Sequence, residues 1–198
     1  MTITYRVGSG LYVNITNRCS NDCTFCIRNL GDSVGDADSL WLEREPSREE
    51  ILSDIASRAL TDYSEIVFCG YGEPTERLKD LLWICERLKQ IDSPPIRVNT
   101  NGHASLIAGY DTAPMFAGLV DRLSISLNAS DSDEYNRICK PAFGSKTYQG
   151  LLDFAKRAAN YVPDVILSVV RGTTDTEACR KVADEAGLPL RIRSTTLN

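Results

Sequence analysis

The sequence contains no apolar run approaching the roughly 20 residues that a membrane-spanning helix requires. Its first ten residues, MTITYRVGSG, lack the pattern of a secretory signal peptide. Basic residues are in the minority, with 22 Lys and Arg against 27 Asp and Glu, so the net charge is −5. A chain of this charge does not present a broad basic surface to nucleic acid, although it can still hold a local basic pocket. We therefore expect a cytoplasmic protein that binds neither membranes nor nucleic acid.

The chain also lacks linkers, internal repeats and low-complexity stretches. Its 198 residues are 42% hydrophobic and 25% charged, which is ordinary for a globular protein. A chain of this length corresponds to about one domain. The sequence therefore predicts a single domain over residues 1–198.

Strand-like segments recur six times, and a segment long enough for a helix separates each from the next. Crossovers of this length join parallel strands through right-handed connections. The sequence therefore predicts an α/β fold, a partial (β/α)6 barrel of parallel strands. The predicted strands are Leu11–Thr16, Glu65–Gly70, Ile96–Asn101, Arg122–Asn128, Asp164–Arg171 and Leu190–Ser194.

Helical patterns fill the intervals between these strands. Ser47 and Glu50 form an S-x-x-E capping box at the start of the first helix. Glycine and proline interrupt the pattern over Ser105–Leu119, and Asp131–Pro141 is expected to be a loop on the cavity side. The predicted helices are Ser47–Leu60, Glu76–Lys89, Thr147–Tyr161 and Asp175–Ala186.

Polar and apolar residues alternate within several of the predicted strands. In Arg122–Asn128, for example, Ser124, Ser126 and Asn128 share one face, and leucine and isoleucine occupy the other. A parallel strand that is buried on both faces is usually apolar throughout. An antiparallel sheet with one wet face is the alternative, but helical crossovers leave little room for it. We therefore expect a curved, open barrel whose concave side is a polar, ligand-binding cavity.

Seven cysteines are present, and three of them lie within eight residues. Cys19, Cys23 and Cys26 have C-x3-C-x2-C spacing after the first predicted strand, which is typical of a soft-metal or iron–sulfur site. Flanking polar residues disfavour an apolar helix stripe. A structural zinc site would need a fourth ligand, and a four-cysteine cluster would take one from a distant residue such as Cys139. The spacing favours three cysteines that hold a [4Fe–4S] cluster and leave one iron open.

The motif C-x3-C-x-aromatic-C after the first strand of such a domain resembles the radical S-adenosylmethionine (SAM) enzymes. The resemblance implies that Cys19, Cys23 and Cys26 hold the cluster and that SAM binds the open iron. It also implies that the reduced cluster cleaves SAM to a 5′-deoxyadenosyl radical, which abstracts hydrogen from a substrate. Phe25, the aromatic residue of the motif, would lie near the adenine, or it would pack beneath the loop.

Three more segments resemble this family, each at the carboxyl end of a predicted strand. The run Cys69-Gly70-Tyr71-Gly72-Glu73-Pro74 is similar to the G-G-E-P segment that receives the ammonium group of SAM, with Tyr71 in place of the first glycine. Thr100-Asn101-Gly102 is similar to a T-N-G segment, and the fourth strand ends in polar residues. The resemblance implies SAM contacts at Gly70, Gly72, Glu73, Thr100, Asn101, Ser126 and Asn128.

The compact length and the C-G-Y-G-E-P and S-L-N-A segments are most similar to radical SAM proteins associated with TatD-type metallohydrolases. Glycyl-radical-enzyme activases are a second comparison. The resemblance implies an external electron donor, such as flavodoxin or ferredoxin, and a TatD-type metallohydrolase as a partner. Three functions are left open: a radical enzyme acting on a small molecule or nucleotide-like compound, an activase acting on a protein partner, and a non-catalytic iron–sulfur protein.

Four arginines lie on or at the ends of predicted strands, and they bear on the substrate: Arg97, Arg171, Arg191 and Arg193. Arg171 is the first candidate to hold the carboxylate of SAM. Two or more arginines in the cavity would predict a substrate with carboxylate or phosphate groups, because guanidinium binds these groups bidentately. Arginines exposed at strand ends are the alternative.

Catalytic residues are not assigned by these patterns, and Cys139 is the candidate hydrogen donor or reactive thiol. Cys69 and Cys85 are expected to be small core residues, and Cys179 to lie on a helix. His103, the single histidine, is expected at the surface or at a helix cap rather than in catalysis.

Overall fold

A computed structural model of the protein describes residues 1–29, 31 and 34–194, and these form one seven-stranded sheet. The strands follow one another across the sheet in chain order. The first two strands pair antiparallel and the other five neighbouring pairs are parallel. The two outer strands do not pair with each other in the described part of the chain, so the barrel stays open. The strands are β1 (Thr4–Val7), β2 (Gly10–Val13), β3 (Glu65–Phe68), β4 (Ile96–Thr100), β5 (Arg122–Ser126), β6 (Asp164–Val170) and β7 (Leu190–Arg193).

Helices connect the parallel strands, as the alternating pattern predicts. The capping box at Ser47 is confirmed: its side chain accepts from the Glu50 backbone, and the Glu50 side chain accepts from the Ser47 backbone. No helix within the described ranges is long and apolar enough to span a membrane. The helices are α1 (Arg48–Ala56), α2 (Leu78–Leu88), α3 (Ala104–Ala108), α4 (Ser132–Cys139), α5 (Lys146–Ala158) and α6 (Thr176–Ala186).

The apolar face of the sheet packs beneath the helices. Leu123 and Ile125 of β5 are fully buried there, and so is Cys85 of α2, as predicted. On the opposite face, Arg97 of β4 reaches Tyr12 of β2, two strands away. Contacts that skip a strand are favoured on the concave side of a curved sheet, where side chains converge. The concave face is polar along β4 and β5, as predicted, but along β2 and β3 it carries an apolar cluster that includes Tyr12 and Val67.

Strand β1 is an element that the sequence analysis missed. It forms a hairpin with β2, in which Thr4 lies opposite Val13 and Val7 opposite Gly10. Gly8 takes the left-handed conformation, with φ of 57°, that the tight turn requires. The glycines that flank Ser9 between two β-branched and aromatic runs are the signal that could have revealed the hairpin.

The prediction of a loop over Asp131–Pro141 is wrong, because helix α4 occupies most of it. The Asp131 side chain caps this helix by accepting a hydrogen bond from the Glu134 backbone. The interrupted segment Ser105–Leu119 divides into the short helix α3 and a 3-10 turn over Ala113–Phe116. Gly109, with φ of 79°, ends α3.

Candidate cofactor and substrate site

The three clustered cysteines lie on the loop that leaves the carboxyl end of β2. Backbone hydrogen bonds join this loop to α4: Asp22 N donates to Cys139 O at 3.0 Å, and Thr24 N to Ile138 O at 2.8 Å. The backbone of Ala142 donates in turn to Ser20 O at 2.8 Å. The loop is therefore held along one side by the helix and by the turn that follows it.

Hydrogen-bond donors surround two of the cysteine sulfurs. The Asn21 backbone lies 3.4 Å from Cys19 Sγ, and Asn101 Nδ2 lies 3.9 Å from the same atom. Arg28 Nε lies 3.3 Å from Cys26 Sγ. Donors of this kind stabilise thiolate charge and tune the reduction potential of a cluster that the thiolates bind. The surroundings of these sulfurs therefore fit an iron–sulfur cluster.

The Cys19 thiol is held in the protonated form. Burial, together with the negative charge of Glu73, raises the pKa of the Cys19 thiol to about 12. Binding to iron must therefore release a proton. No three Cys, His, Asp or Glu side chains in the described ranges converge so as to hold a single ion. A [4Fe–4S] cube binds each thiolate through a different iron, so it accepts sulfurs that are farther apart.

Cys139 is fully buried on α4, and its side chain lies against that of Cys23. That contact and burial raise the pKa of Cys23. The structure thus brings the fourth cysteine named in the sequence analysis against the cysteine loop. It does not expose Cys139 to the concave cavity as a loop residue.

Two glycines allow the segment after β3 to approach its neighbours closely. A Cβ atom on Gly72 would lie 2.2 Å from Thr16 O and 2.6 Å from Arg18 O, both on the backbone leading into the cysteine loop. A Cβ atom on Gly70 would lie 2.1 Å from Asn14 Oδ1. Both positions exclude any side chain, which explains why glycine occupies them in the predicted SAM-binding segment.

Glu73 is buried, and its carboxylate accepts hydrogen bonds from four donors within the protein. Thr100 Oγ1 donates at 2.7 Å and the Asn101 backbone at 2.6 Å, and both groups of Thr75 donate as well. Burial raises the pKa of Glu73, and these donors oppose the rise. Glu73 therefore joins the segment after β3 to the segment after β4. The Thr100 hydroxyl, a predicted SAM contact, is used in this contact within the protein.

His103 lies at the N-cap of α3, one of the two positions expected for it, although its side chain makes no capping hydrogen bond. The other expectation, a surface position for His103, is wrong. Its side chain is fully buried, with Nδ1 2.9 Å from Ser20 Oγ and Nε2 2.9 Å from the Tyr135 hydroxyl. Burial lowers the pKa of His103 to about 3, so the imidazole is neutral. Asn101 Nδ2 also donates to Ser20 Oγ, at 2.9 Å. Sequence reasoning missed this network because its members lie on three separate segments.

The arginines divide into two groups. Arg97 is buried and paired with Glu65, 2.7 Å away. Arg193 is mostly buried, and its Nη2 reaches across the concave face to Ser126 Oγ at 3.3 Å. Burial lowers the pKa of Arg193, and the adjacent Arg191 and Arg97 lower it further. Arg97 and Arg193 are therefore the two buried arginines of the concave face, and Arg191 of β7 is exposed.

Arg193 differs from Arg97 in having no acidic partner. No ion pair forms at Arg193 in the part of the chain that the structure describes, whereas Arg97 has Glu65. The buried Nε atoms of both arginines have no hydrogen-bond partner there, so the missing counter-ion is the difference between them. Asn128, which follows β5, two strands away from β7, likewise buries an unpartnered Oδ1 and has a left-handed φ of 58°. Unsatisfied buried groups of this kind are costly unless a ligand completes them.

The remaining candidate residues are either exposed or packed against apolar side chains. Arg171 is exposed in the turn that follows β6, so it is not part of the buried group. Phe25 is partly buried and packs against the main core, which agrees with the packing alternative. Cys69 lies at the end of β3 and contacts Asn99. It packs against a second apolar cluster, which includes Tyr12 and Val67, on the concave side. Cys179 is buried on α6, as predicted.

Residues 13–186 match the Radical SAM superfamily, which is most of the chain. The protein belongs to this superfamily, and it is a radical SAM enzyme whose cofactors are a [4Fe–4S] cluster and SAM. Cys19, Cys23 and Cys26 are the residues that would hold the cluster. When bound, the cluster supplies the electron that cleaves SAM.

Among curated proteins, the chain is similar to the GTP 3′,8-cyclase of Streptomyces coelicolor, with 32% identity over 175 residues. The match covers 87% of this chain and 48% of the relative. A probable GTP 3′,8-cyclase of Halobacterium salinarum is 30% identical over 82% of this chain and 41% of its own. The chain thus spans about half the length of the curated relatives it matches.

Solved structures share the fold at low sequence identity. SuiB of Streptococcus suis bound to the precursor peptide SuiA superimposes with a TM-score of 0.66 at 16% identity, over 96% of this chain and 40% of that chain. The enzyme anSMEcpe with bound AdoMet gives a TM-score of 0.63 at 16% identity, over 93% and 50%. These likenesses confirm the predicted partial barrel.

Proposed function

We propose that the substrate of this radical SAM enzyme is anionic and that Arg193 binds its phosphate or carboxylate group. The observation that carries the proposal is the guanidinium of Arg193, which is largely buried on the concave face and has no acidic partner among the described residues. A buried cation without a counter-ion is unfavourable unless an anion arrives with a ligand. Arg97 is not equivalent, because Glu65 already neutralises it.

The curated relatives support a nucleotide as the first anion to test. Their name, GTP 3′,8-cyclase, specifies a purine nucleoside triphosphate, which carries several negative charges. Guanidinium binds phosphate bidentately, so Arg193 matches this substrate class in chemistry as well as in charge. GTP is therefore the leading candidate substrate.

The test is an anaerobic assay of the reconstituted, reduced protein with SAM. Release of 5′-deoxyadenosine is measured with GTP, with other phosphate- or carboxylate-bearing compounds and with neutral guanosine, and a Cys19→Ala variant serves as the inactive control. We expect anionic compounds to stimulate release and guanosine not to. Stimulation by neutral compounds alone would contradict the proposal.

Arg193→Met tests the assigned residue, and Arg180→Met on the exposed face of α6 is the matched control. We expect Arg193→Met to raise the KM for the anionic substrate about 10-fold or more, because a charge-assisted bond is worth about 1.5–3 kcal/mol. The control should leave the KM unchanged. If Arg193→Met instead weakens only SAM binding, Arg193 holds the carboxylate of SAM and the substrate assignment is wrong.

An activase that forms a radical on a protein partner is the alternative function. We propose flavodoxin or ferredoxin as the electron donor and a TatD-type metallohydrolase as a candidate partner, on the sequence resemblance alone. We also propose a cytoplasmic location, because seven free thiols suit a reducing compartment. Turnover that requires an added protein, rather than a small anion, would favour the activase.

A further inference from the structure

The single histidine of the chain has no part in the proposed reaction, yet it occupies a fully buried site beside the cysteine loop. Its ring joins three separate segments: the cysteine loop through Ser20, the end of β4 through its own backbone, and α4 through Tyr135. Asn21, also on the cysteine loop, donates to the same Tyr135 hydroxyl at 3.0 Å. Two consecutive loop residues are thus tied to one imidazole–phenol pair.

Two side-chain amides donate into the network. Asn101 Nδ2 donates to Ser20 Oγ and Asn21 Nδ2 donates to the Tyr135 oxygen, so each hydroxyl can still donate to the ring or accept from it. Because the ring is neutral, one of its nitrogens donates to one hydroxyl and the other accepts from the second. The imidazole is suited to this place because it accepts at one end and donates at the other.

The network ends at an atom that would bind the cluster. Asn101 donates to Ser20 with the same Nδ2 that lies 3.9 Å from Cys19 Sγ, and the His103 backbone fixes the amide by donating to Asn101 Oδ1 at 3.0 Å. Ser20 adjoins Cys19 in the chain. Loss of the imidazole would remove one hydrogen-bond partner from each of the buried Ser20 and Tyr135 hydroxyls and leave each with a single amide donor. The loop would have to rearrange to replace the lost bonds.

We propose that His103 is a positioning residue for the iron–sulfur cluster: it holds the cysteine loop, and the Asn101 amide at Cys19 Sγ, in the arrangement that binds the cluster. The role follows from contacts that the protein's own residues make beside the cysteines that would hold the cluster. It does not depend on the identity of the substrate.

Two tyrosines provide a matched pair of variants. Tyr135 and Tyr148 pack against each other, and each buries a hydrogen-bonded hydroxyl. The Tyr135 hydroxyl serves the network, whereas the Tyr148 hydroxyl donates to Ala129 O, away from the cysteine loop. Tyr135→Phe and Tyr148→Phe therefore remove the same atom in two contexts. His103→Phe removes both ring nitrogens, and His103→Gln keeps one polar end.

Each variant is reconstituted anaerobically with iron and sulfide, and three properties are measured: the rate of cluster loss to an iron chelator, the electron paramagnetic resonance spectrum of the reduced cluster, and its midpoint potential. Circular dichroism melting reports the fold separately. We expect His103→Phe and Tyr135→Phe to lose the cluster roughly 10-fold faster and to change the spectrum and the potential. His103→Gln should recover part of the loss.

Tyr148→Phe is expected to lower the melting temperature like Tyr135→Phe while leaving all three cluster properties unchanged. If the cluster properties of Tyr135→Phe match those of Tyr148→Phe and the wild type, the positioning role is wrong. That result stands even if His103→Phe does not fold, because Tyr135→Phe interrupts the same network by removing only the hydroxyl oxygen. Stimulation by anionic compounds is a separate measurement, so either proposal can fail alone.

Discussion

At the scale of single residues, the protein uses two ways to bury a titratable group beside the cysteine loop. Glu73 is surrounded by internal donors that satisfy its carboxylate. His103 is kept neutral, with one ring nitrogen accepting and the other donating. Arg193 follows neither way, since nothing acidic in the described ranges compensates it. That contrast is why we assign structure to the first two residues and a ligand to the third.

The neutral state of His103 predicts a pH dependence of stability. Its pKa is about 3 in the folded protein against an ordinary 6.5, so below pH 6.5 the unfolded chain binds a proton that the folded chain does not. Unfolding free energy should therefore fall on acidification, by up to about 1.4 kcal/mol per pH unit between pH 6.5 and pH 3.

The measurement is denaturant unfolding of the cluster-free protein between pH 7 and pH 5, above the range in which most carboxylates titrate. His103→Phe should be less stable throughout and should lack this part of the slope. Equal slopes in the two proteins would show that His103 is not buried in its neutral form.

Gly72 supplies a second prediction at the residue scale. Gly72→Ala would force a Cβ atom against two backbone carbonyls, and neither can move without parting the segment after β3 from the cysteine loop. We expect the free energy of unfolding to fall by about 2–4 kcal/mol.

Gly150→Ala, within α5, is the matched control. Its Cβ atom would lie 3.0 Å from the flexible end of the Leu106 side chain on α3. The gain in helix propensity offsets that contact, so the change should stay within about 1 kcal/mol. Similar losses at Gly72 and Gly150 in guanidinium melts would contradict the close approach at Gly72.

At the scale of elements, helix α1 begins at a capping box that the sequence alone predicted. The Glu50 backbone donates to Ser47 Oγ at 3.1 Å, and the Ser47 backbone donates to Glu50 Oε2 at 2.7 Å. Ser47→Ala should cost about 1 kcal/mol in thermal unfolding. Ser53→Ala, on the exposed side of the same helix, should be neutral or slightly stabilising because alanine is the better helix former. A neutral Ser47→Ala would show that the cap does not contribute.

Elements differ in how far their own residues specify them. Helix α2 has a strongly apolar face over Leu78–Leu88, and the parallel strands alternate in polarity, so their presence could be predicted. Helix α4 is short, and its signals are the Asp131 cap and the helical spacing of its buried residues Tyr135, Ile138 and Cys139. Its position against the cysteine loop depends on backbone bonds to Asp22 and Thr24, which no local pattern reveals.

At the scale of the whole molecule, we expect residues of the concave face that bind a ligand to lower the free energy of unfolding of the ligand-free protein. Arg193→Met should raise the free energy of unfolding by about 1–2 kcal/mol, because it removes a desolvated guanidinium with no acidic partner among the described residues. The same variant should lose affinity for the anionic substrate. Arg97→Met should instead destabilise the protein, since it leaves the Glu65 carboxylate without its cationic partner. Chemical denaturation of both variants checks the prediction, and destabilisation by Arg193→Met would contradict it.

The sequence by itself determined the order of the parallel strands, the alternation of polar and apolar faces, and the cysteine motif. These properties are periodic or local, so neighbouring residues specify them. The tertiary structure alone decided which distant groups meet: Cys139 with Cys23, His103 with Ser20 and Tyr135, and Arg193 with Ser126. Those contacts depend on the curvature of the sheet and on how α4 packs, and long-range packing of that kind leaves no periodic signal in the chain.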